Sequence, residues 1–259
     1  MRWTSMALLL TLPACAAELK PKTVEAFDLY IRDAEQRLAN GKVFLWADES
    51  PDRARRIKAG EVLVEPVRTK AVTPVPGGLV HDWVGSVFIP GATLERTLAM
   101  VQDYDHHKDV YKPEVVGSRL ISRAGNDFHI YLRLLKKKVI TVVLSSEHDV
   151  KYIPVDKTRW RSVSRSTKIA EVDKAGKPDE REKPPGTGEG FLWRLNSYWR
   201  FEERDGGVWL ECEAISLTRD VPTGLGWIIE PIIRDLPKES LANTLRSTRT
   251  ALHPSEPRP

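Results

Sequence analysis

Residues 193–218, WRLNSYWRFEERDGGVWLECEAISLT, alternate with period two on both sides of an Asp205-Gly206-Gly207 turn. In the first run Leu195, Ser197, Trp199 and Phe201 share one side, and Arg194, Asn196, Tyr198 and Arg200 the other. In the second, Val208, Leu210, Cys212 and Ala214 oppose Glu211 and Glu213. Two such runs joined by a Gly-rich turn predict an antiparallel hairpin with one apolar face.

Upstream the same signature recurs. Strands are predicted at 79–89, 115–122, 128–135, 139–150 and 159–169, with a turn at Ala124-Gly125-Asn126-Asp127. Phe128, Ile130, Leu132 and Leu134 share a face, opposite His129, Tyr131 and Arg133. A short helix follows the first strand, opened by Pro90-Gly91-Ala92-Thr93 and carrying Leu94, Leu98 and Val101. Downstream, Leu225, Ile228, Ile229, Ile232, Ile233 and Leu236, then Leu241, Leu245 and Leu252, describe a long helix with a kink expected at Pro231 or Pro237. Strand, helix, a run of antiparallel strands and a long apolar-faced helix predict an α+β domain whose curved sheet wraps the terminal helix.

N-terminal to this unit, Val24, Phe27, Tyr30, Ile31, Ala34 and Leu38 give an amphipathic helix stopped by Asn40-Gly41. Residues 42–76 mix short apolar runs with Arg53, Arg55 and Arg56 and read as an extension packed on the main domain. Residues 171–190, charged and rich in Pro and Gly, read as a mobile flap or disordered insertion outside the core. The expected division is a leader at 1–17, an extension at 18–78, a ligand-binding domain at 79–252 and a tail at 253–259.

The pattern resembles the START-like, or helix-grip (SRPBCC), superfamily, which includes bacterial polyketide cyclase-like and coenzyme Q-binding proteins. The residues that carry the resemblance are Ile89 to Thr93, Val101-Gln102-Asp103-Tyr104-Asp105, Pro113-Glu114-Val115, and Pro222 with Gly224-Leu225-Gly226-Trp227 leading into the last helix. It covers 79–252 and rests on helix boundaries and turns. It implies a seven-stranded sheet gripping the last helix, around a cavity for lipids, sterols, quinones or polyketides. The expected lining is Phe128, Ile130, Leu132, Leu195, Trp199, Phe201, Leu210 and Cys212 from the sheet, with Trp227, Ile228 and Ile232 from the helix. Any such sheet needs an apolar inner face, ligand or not. The reverse assignment would bury Arg133, Arg200 and Glu211 inside.

Lys plus Arg (40) nearly balance Asp plus Glu (36), for a net charge of +4, too weak a field for nucleic acid. Arg2, the apolar stretch Met6 to Leu12 and the small residues around Cys15 to Ala17 read as an export leader, too short to anchor as a membrane span. A periplasmic or secreted protein is expected, with lipid attachment at Cys15 as the less favoured alternative. Processing would leave Cys212 alone, without an intrachain disulfide.

Other chemistry fits less well. Asp103 to His107 concentrates metal-ligand types but lacks the spacing of a helical zinc site. Ser145, Ser146, His148 and Asp149 hold the letters of a hydrolase triad, yet alternation splits them between faces and no nucleophile elbow is present. Gly186-Thr187-Gly188-Glu189-Gly190 lacks the strand and helix of a phosphate loop. Lys136, Lys137, Lys138, Arg159, Arg161 and Arg165 could touch anionic membranes transiently, although the three arginines share a face as a solvated surface would. The expectation is binding or carriage of an apolar ligand without metal or cofactor. The alternatives are a cyclase- or aromatase-like enzyme, using His129, Tyr131 and Arg133 if their face is internal, or a ligand-free envelope scaffold.

Overall fold

The computed structural model describes residues 17–137, 141–220 and 226–253, with the backbone alone over 226–235. Helix α1 (Pro21–Ala39) begins on proline, tolerated because the first turn has no partner for the missing N–H. It buries Thr23, Phe27, Tyr30, Ile31 and Ala34 along one stripe. The stretch that reads only as short apolar runs folds into a 3-10 turn at Trp46–Glu49, helix α2 (Pro51–Lys58), and strands β1 (Leu63–Pro66) and β2 (Val72–Val75). Ser50 caps α2, its hydroxyl oxygen accepting from the Arg53 amide at 3.4 Å.

Then come β3 (Gly78–Pro90), α3 (Leu94–Gln102), α4 (His107–Val110), β4 (Val115–Ala124), β5 (Asp127–Lys137), β6 (Thr141–Pro154) and β7 (Arg159–Asp173). The two-residue β8 (Arg181–Glu182), β9 (Arg194–Arg204), β10 (Gly207–Arg219) and α5 (Gly226–Leu252) complete the chain. Thr93 caps α3 through the Arg96 amide at 3.2 Å. The β9–β10 hairpin turns on Asp205 (φ 57°) and Gly206 (φ 75°), the left-handed pair a tight two-residue loop needs. α5 is one uninterrupted helix across Pro231 and Pro237, the sites of the expected kink.

All pairings are antiparallel, and the sheet has ten strands in the order β1-β3-β10-β9-β7-β6-β5-β4, with β2 also on β3 and β8 on β7. The seven strands implied by the resemblance are β3 to β7, β9 and β10. β1 and β2 come from the extension and β8 from the insertion. This is an α+β helix-grip fold. Trp83, Val87 and Ile89 of β3 join Phe128 and Ile130 of β5 in one core cluster with Leu241, Leu245 and Leu252 of α5. Those strands are separated by β10, β9, β7 and β6, roughly 24 Å if flat at about 4.8 Å per strand, so the sheet must curl around α5. Gly85 lets the helix in: a Cβ there would lie 2.8 Å from Leu245 Cδ1.

The outer face of β3, β10 and β9 is covered too. Phe27, Tyr30, Ile31 and Ala34 of α1 pack on Val80, Tyr198, Ile215 and Leu217, and Leu45, Ala47 and Ile57 pack on Phe88 and Trp209. Residues 174–190 do not hang free of the sheet. β8 pairs with β7, Arg133 makes a two-bond fork with Glu180 at 2.8 and 2.9 Å, and the Ala17 and Leu19 amides donate to the Gly188 and Gly186 carbonyls.

Both sheet edges are irregular. β1 and β2 are four residues each and contain Pro66 and Pro74. β4 carries register shifts between Val115 and Gly117 and between Leu120 and Ser122, with Arg119 and Arg123 along it.

Candidate functional site: the inner face of the sheet

Alternation assigned the faces correctly. The sheet residues expected to line a cavity all lie on the α5 side, but they divide into two groups. Phe128, Ile130, Phe201, Leu210 and Cys212 are fully buried in the packed cluster beneath α3 and the second half of α5, with Leu132 and Trp199 at its margin. Tyr104 and Tyr152 close that end: their hydroxyls meet at 2.9 Å, and the Tyr104 ring stands edge-on to Phe128 with centroids 5.5 Å apart. Leu195 lies outside the cluster and is half-buried. The side chains of Trp227, Ile228 and Ile232 lie outside the described residues.

Toward the strand ends remote from α3 the inner face changes character. Strand register places His81 of β3 opposite Ser216 of β10, Ser216 opposite Leu195 of β9, and Ser197 between Ala214 of β10 and Ser164 of β7. Ser166 follows on β7 and faces His148 of β6. Within this band Ser164, Ser166, Leu195, Ser197, Ala214 and neighbouring Trp199 are only half-buried, a contiguous patch across β7, β9 and β10 in the middle of the sheet, with Trp199 and Ala214 also touching the edge of the packed cluster. The half-buried group is the open part of the inner face. Sequence reasoning overlooked its polar members, although their signal was present. Ser162-Val163-Ser164-Arg165-Ser166 has period two, and placing the arginines outside puts all three serines inside.

Two histidines flank the band, each fixed in one tautomer. Thr218 Oγ1 donates to the Arg219 carbonyl at 3.1 Å, so the 3.0 Å contact from His81 Nε2 is a donation to Thr218, and Nδ1 keeps its lone pair. Likewise Ser146 Oγ donates to the Leu132 carbonyl at 3.0 Å, and His148 Nε2 donates to Ser146 Oγ at 3.1 Å. Burial pushes both imidazoles down to about 4, so both are neutral at pH 7. His148 therefore cannot take the Ser146 proton, and Asp149 bonds His129 on the opposite face at 2.7 Å. The triad letters do not form a triad.

The remaining candidates fall elsewhere. His129 sits between Asp149 and Glu147, Arg133 is forked to Glu180, and the Arg119 guanidinium covers Tyr131 at 4.5 Å, all on the outer face. An enzyme using these three residues on an internal ligand is thereby removed. His106 is exposed and bonded to Asp103, whereas buried His107 contacts the Val101 carbonyl at 3.1 Å. Among the described residues no cluster of three or more His, Cys, Asp or Glu could hold a metal ion. The glycine loop cradles an anion of its own: the Glu171 carboxylate accepts from the Glu189 amide at 2.8 Å, and a Cβ on Gly188 would strike it. Lys136 is held by Glu114 and Ser240, Arg159 by Asp156 and Arg165 by Glu35, leaving Arg161 and Lys137 exposed. Lys138 lies outside the described residues.

Arg200 and Glu211 stand on the outer face as alternation requires, yet Glu211 is buried and Arg200 half-buried, because α1 and the 3-10 turn cover them. Arg200 donates to Glu211 at 3.1 Å and to the Leu38 carbonyl at 3.3 Å, while Tyr30 donates to Asp82 at 2.9 Å and Arg37 to Glu213. Burial lifts the Glu211 carboxyl to about 7 and also raises Asp82, the latter reinforced by Glu213.

No family profile matches the chain, and no curated protein matches it. Solved structures do. A STAR-related lipid transfer protein from Xanthomonas axonopodis is 15% identical, covering 71% of this chain and 99% of that one at a TM-score of 0.47. A START superfamily protein from Mycobacterium smegmatis is 11% identical, covering 66% and 97% at 0.44. The Zhui aromatase/cyclase from Streptomyces sp. R1128 is 12% identical, covering 67% and 93% at 0.44.

Proposed function

We propose that this START-like, helix-grip chain is an exported binder or carrier of a lipid-like molecule, held between the inner face of the sheet and α5. The observation that carries the reading is the half-buried group Ser164, Ser166, Leu195, Ser197, Trp199 and Ala214, which forms one contiguous patch across the middle strands of the inner face. Apolar surface left open inside a fold forgoes roughly 25 cal/mol per Å² until something covers it. A ligand lying along Trp199 and Leu195 would recover that energy, and recessed sites with a few polar groups are where small molecules bind. Export rests on the leader signature of residues 1–17 and is tested by N-terminal sequencing of the protein recovered from its own cell envelope. An uncleaved N-terminus in a cytoplasmic fraction would overturn it.

Binding is tested by native mass spectrometry of the purified protein, followed by denaturing extraction of whatever it carries. A stoichiometric apolar adduct is expected. Trp199→Ala should weaken retention of an apolar fluorescent probe by about tenfold, the loss of roughly 1.4 kcal/mol of contact. Unchanged affinity would move the ligand away from Trp199, and a clean mass that also takes up no added lipid would favour the ligand-free scaffold.

A further inference from the structure

Resting on the ligand-binding reading above, we propose that the ligand is a neutral lipid whose head bears a hydroxyl, held by His81 and by the serines of β7 and β9, and that the site rejects anionic heads. The open band presents hydrogen-bonding groups without charge. Among the described residues, no Lys, Arg, Asp or Glu of β3, β6, β7, β9 or β10 lies at the inner-facing positions between His81 and His148. Inward-facing charges of the sheet stand at its two ends and are already used. Glu203 accepts from the Leu94 amide at the start of α3 at 2.6 Å, and Lys136 is bound to Glu114 and Ser240. The nearby cation of α5, exposed Lys238, lies over the Trp83 ring 5.7 Å from its centroid.

Two buried polar atoms at one end of the band have no partner among the described residues: Nδ1 of His81, which is 0% exposed, and Nε1 of Trp83, which is 7% exposed. The first is an acceptor, because its ring proton is on Nε2, and the second is a donor. They stand two residues apart on one face of β3, about 7 Å along the strand. A hydroxyl can donate to the first or accept from the second. An ionised carboxylate or a phosphodiester can only accept and would leave Nδ1 unpaired, and any anionic head, a phosphate monoester included, would bring its charge to a band with no buried counter-ion among the described residues, which is costly. Along the band the Ser164 and Ser197 hydroxyls have no hydrogen-bond partner among the described residues, so they remain available to a glycerol, sterol or quinol oxygen. Ser166 differs, since it accepts the Leu195 amide at 3.0 Å.

The test uses two probes with identical tails. Purified full-length protein is incubated with phosphatidylcholine vesicles doped with either dioleoylglycerol or dioleoylphosphatidate, the vesicles are removed, and retained lipid is quantified by mass spectrometry. Dioleoylglycerol is expected to be retained at least about tenfold over dioleoylphosphatidate. The double variant Ser164→Ala with Ser197→Ala should lose about fivefold of the diacylglycerol retention at an unchanged melting temperature. Equal retention of both probes, preference for the phosphatidate through Lys238, or a double variant that binds as the wild type does would overturn the neutral-hydroxyl reading while leaving the carrier reading intact. Retention of neither probe, nor of any vesicle lipid, removes both.

Discussion

The two faces of the sheet handle polar groups in opposite ways. Under α1 the chain buries three carboxyl groups and pairs each: Glu211 with half-buried Arg200, Glu213 with exposed Arg37, and Asp82 with buried Tyr30. Over the same strands on the α5 side it places serines and neutral histidines, and leaves part of that surface half-covered. A filled interface tolerates charge only with a partner fixed opposite it, and the extension supplies those partners. A surface awaiting a ligand cannot rely on a fixed partner, so neutral hydroxyls and imidazoles are the cheaper choice there. The outer face is thus built for cohesion, and the proposed ligand face is built from neutral groups.

The sharpest way to break this contrast is to orphan a buried charge. Arg200→Ala leaves Glu211, 2% exposed, without its cation and should cost about 3 kcal/mol, the lower end for a broken buried pair, because Glu211 can respond by taking up a proton. Arg200→Met combined with Glu211→Leu should recover most of that loss in urea denaturation. A double variant no better than Arg200→Ala would show that the cost is packing rather than charge. Tyr30→Phe should cost about 1–2 kcal/mol, the loss of a hydrogen bond to a buried acceptor, read from the same midpoints.

Acid and base act on the two faces with opposite sign. His81, His107 and His148 are held near 4 by burial, so they contribute stability that is present above their unfolded value of about 6.5 and lost as pH falls toward 4. Glu211 and Asp82 are raised, so the folded state keeps protons that the unfolded state releases, and their contribution is lost as pH rises through about 7 for Glu211. Removing the Glu211 contribution with Glu211→Gln should steepen the rise in unfolding free energy between pH 4.5 and pH 7, by about 1.4 kcal/mol per pH unit at most, read from urea denaturation. An unaltered slope would mean that Glu211 titrates normally beneath α1. The smallest effect is predicted on the inner face: Ser164→Ala with Ser197→Ala should shift stability by no more than about 0.5 kcal/mol, because neither hydroxyl supports the fold. A larger loss would make these serines structural and blur the contrast between the faces.

The seven main strands were legible from composition and from the turns between them, with a clean period-two pattern in β5, β9 and β10, and their predicted ends fall within a few residues of those observed. α2, β1 and β2 were not. They are four to eight residues long, and β1 and β2 contain a proline each, so no periodicity accumulates. The inner and outer sides of β5, β9 and β10 were also legible. Which inner residues remain open was not, since hydrophobicity marks Phe201, Leu210 and Cys212 as interior without saying that α3 and α5 fill the space beside them. Serine carries no apolar signal, so Ser164 escaped notice despite its spacing, and Ser197, though placed on the inner side, was not counted in the lining. Burial of Glu211 depended on α1 crossing β10, a contact between residues more than 160 positions apart.

The uneven edges of the sheet bear on how the protein meets copies of itself. A strand lengthens a sheet across molecules only if it offers a straight row of free amides and carbonyls in register. At one border the row is interrupted by Pro66 and Pro74 in strands of four residues, and at the other it is bent twice and studded with Arg119 and Arg123. Neither border offers such a row, so the half-covered inner face is not joined to an edge that could seed fibrils.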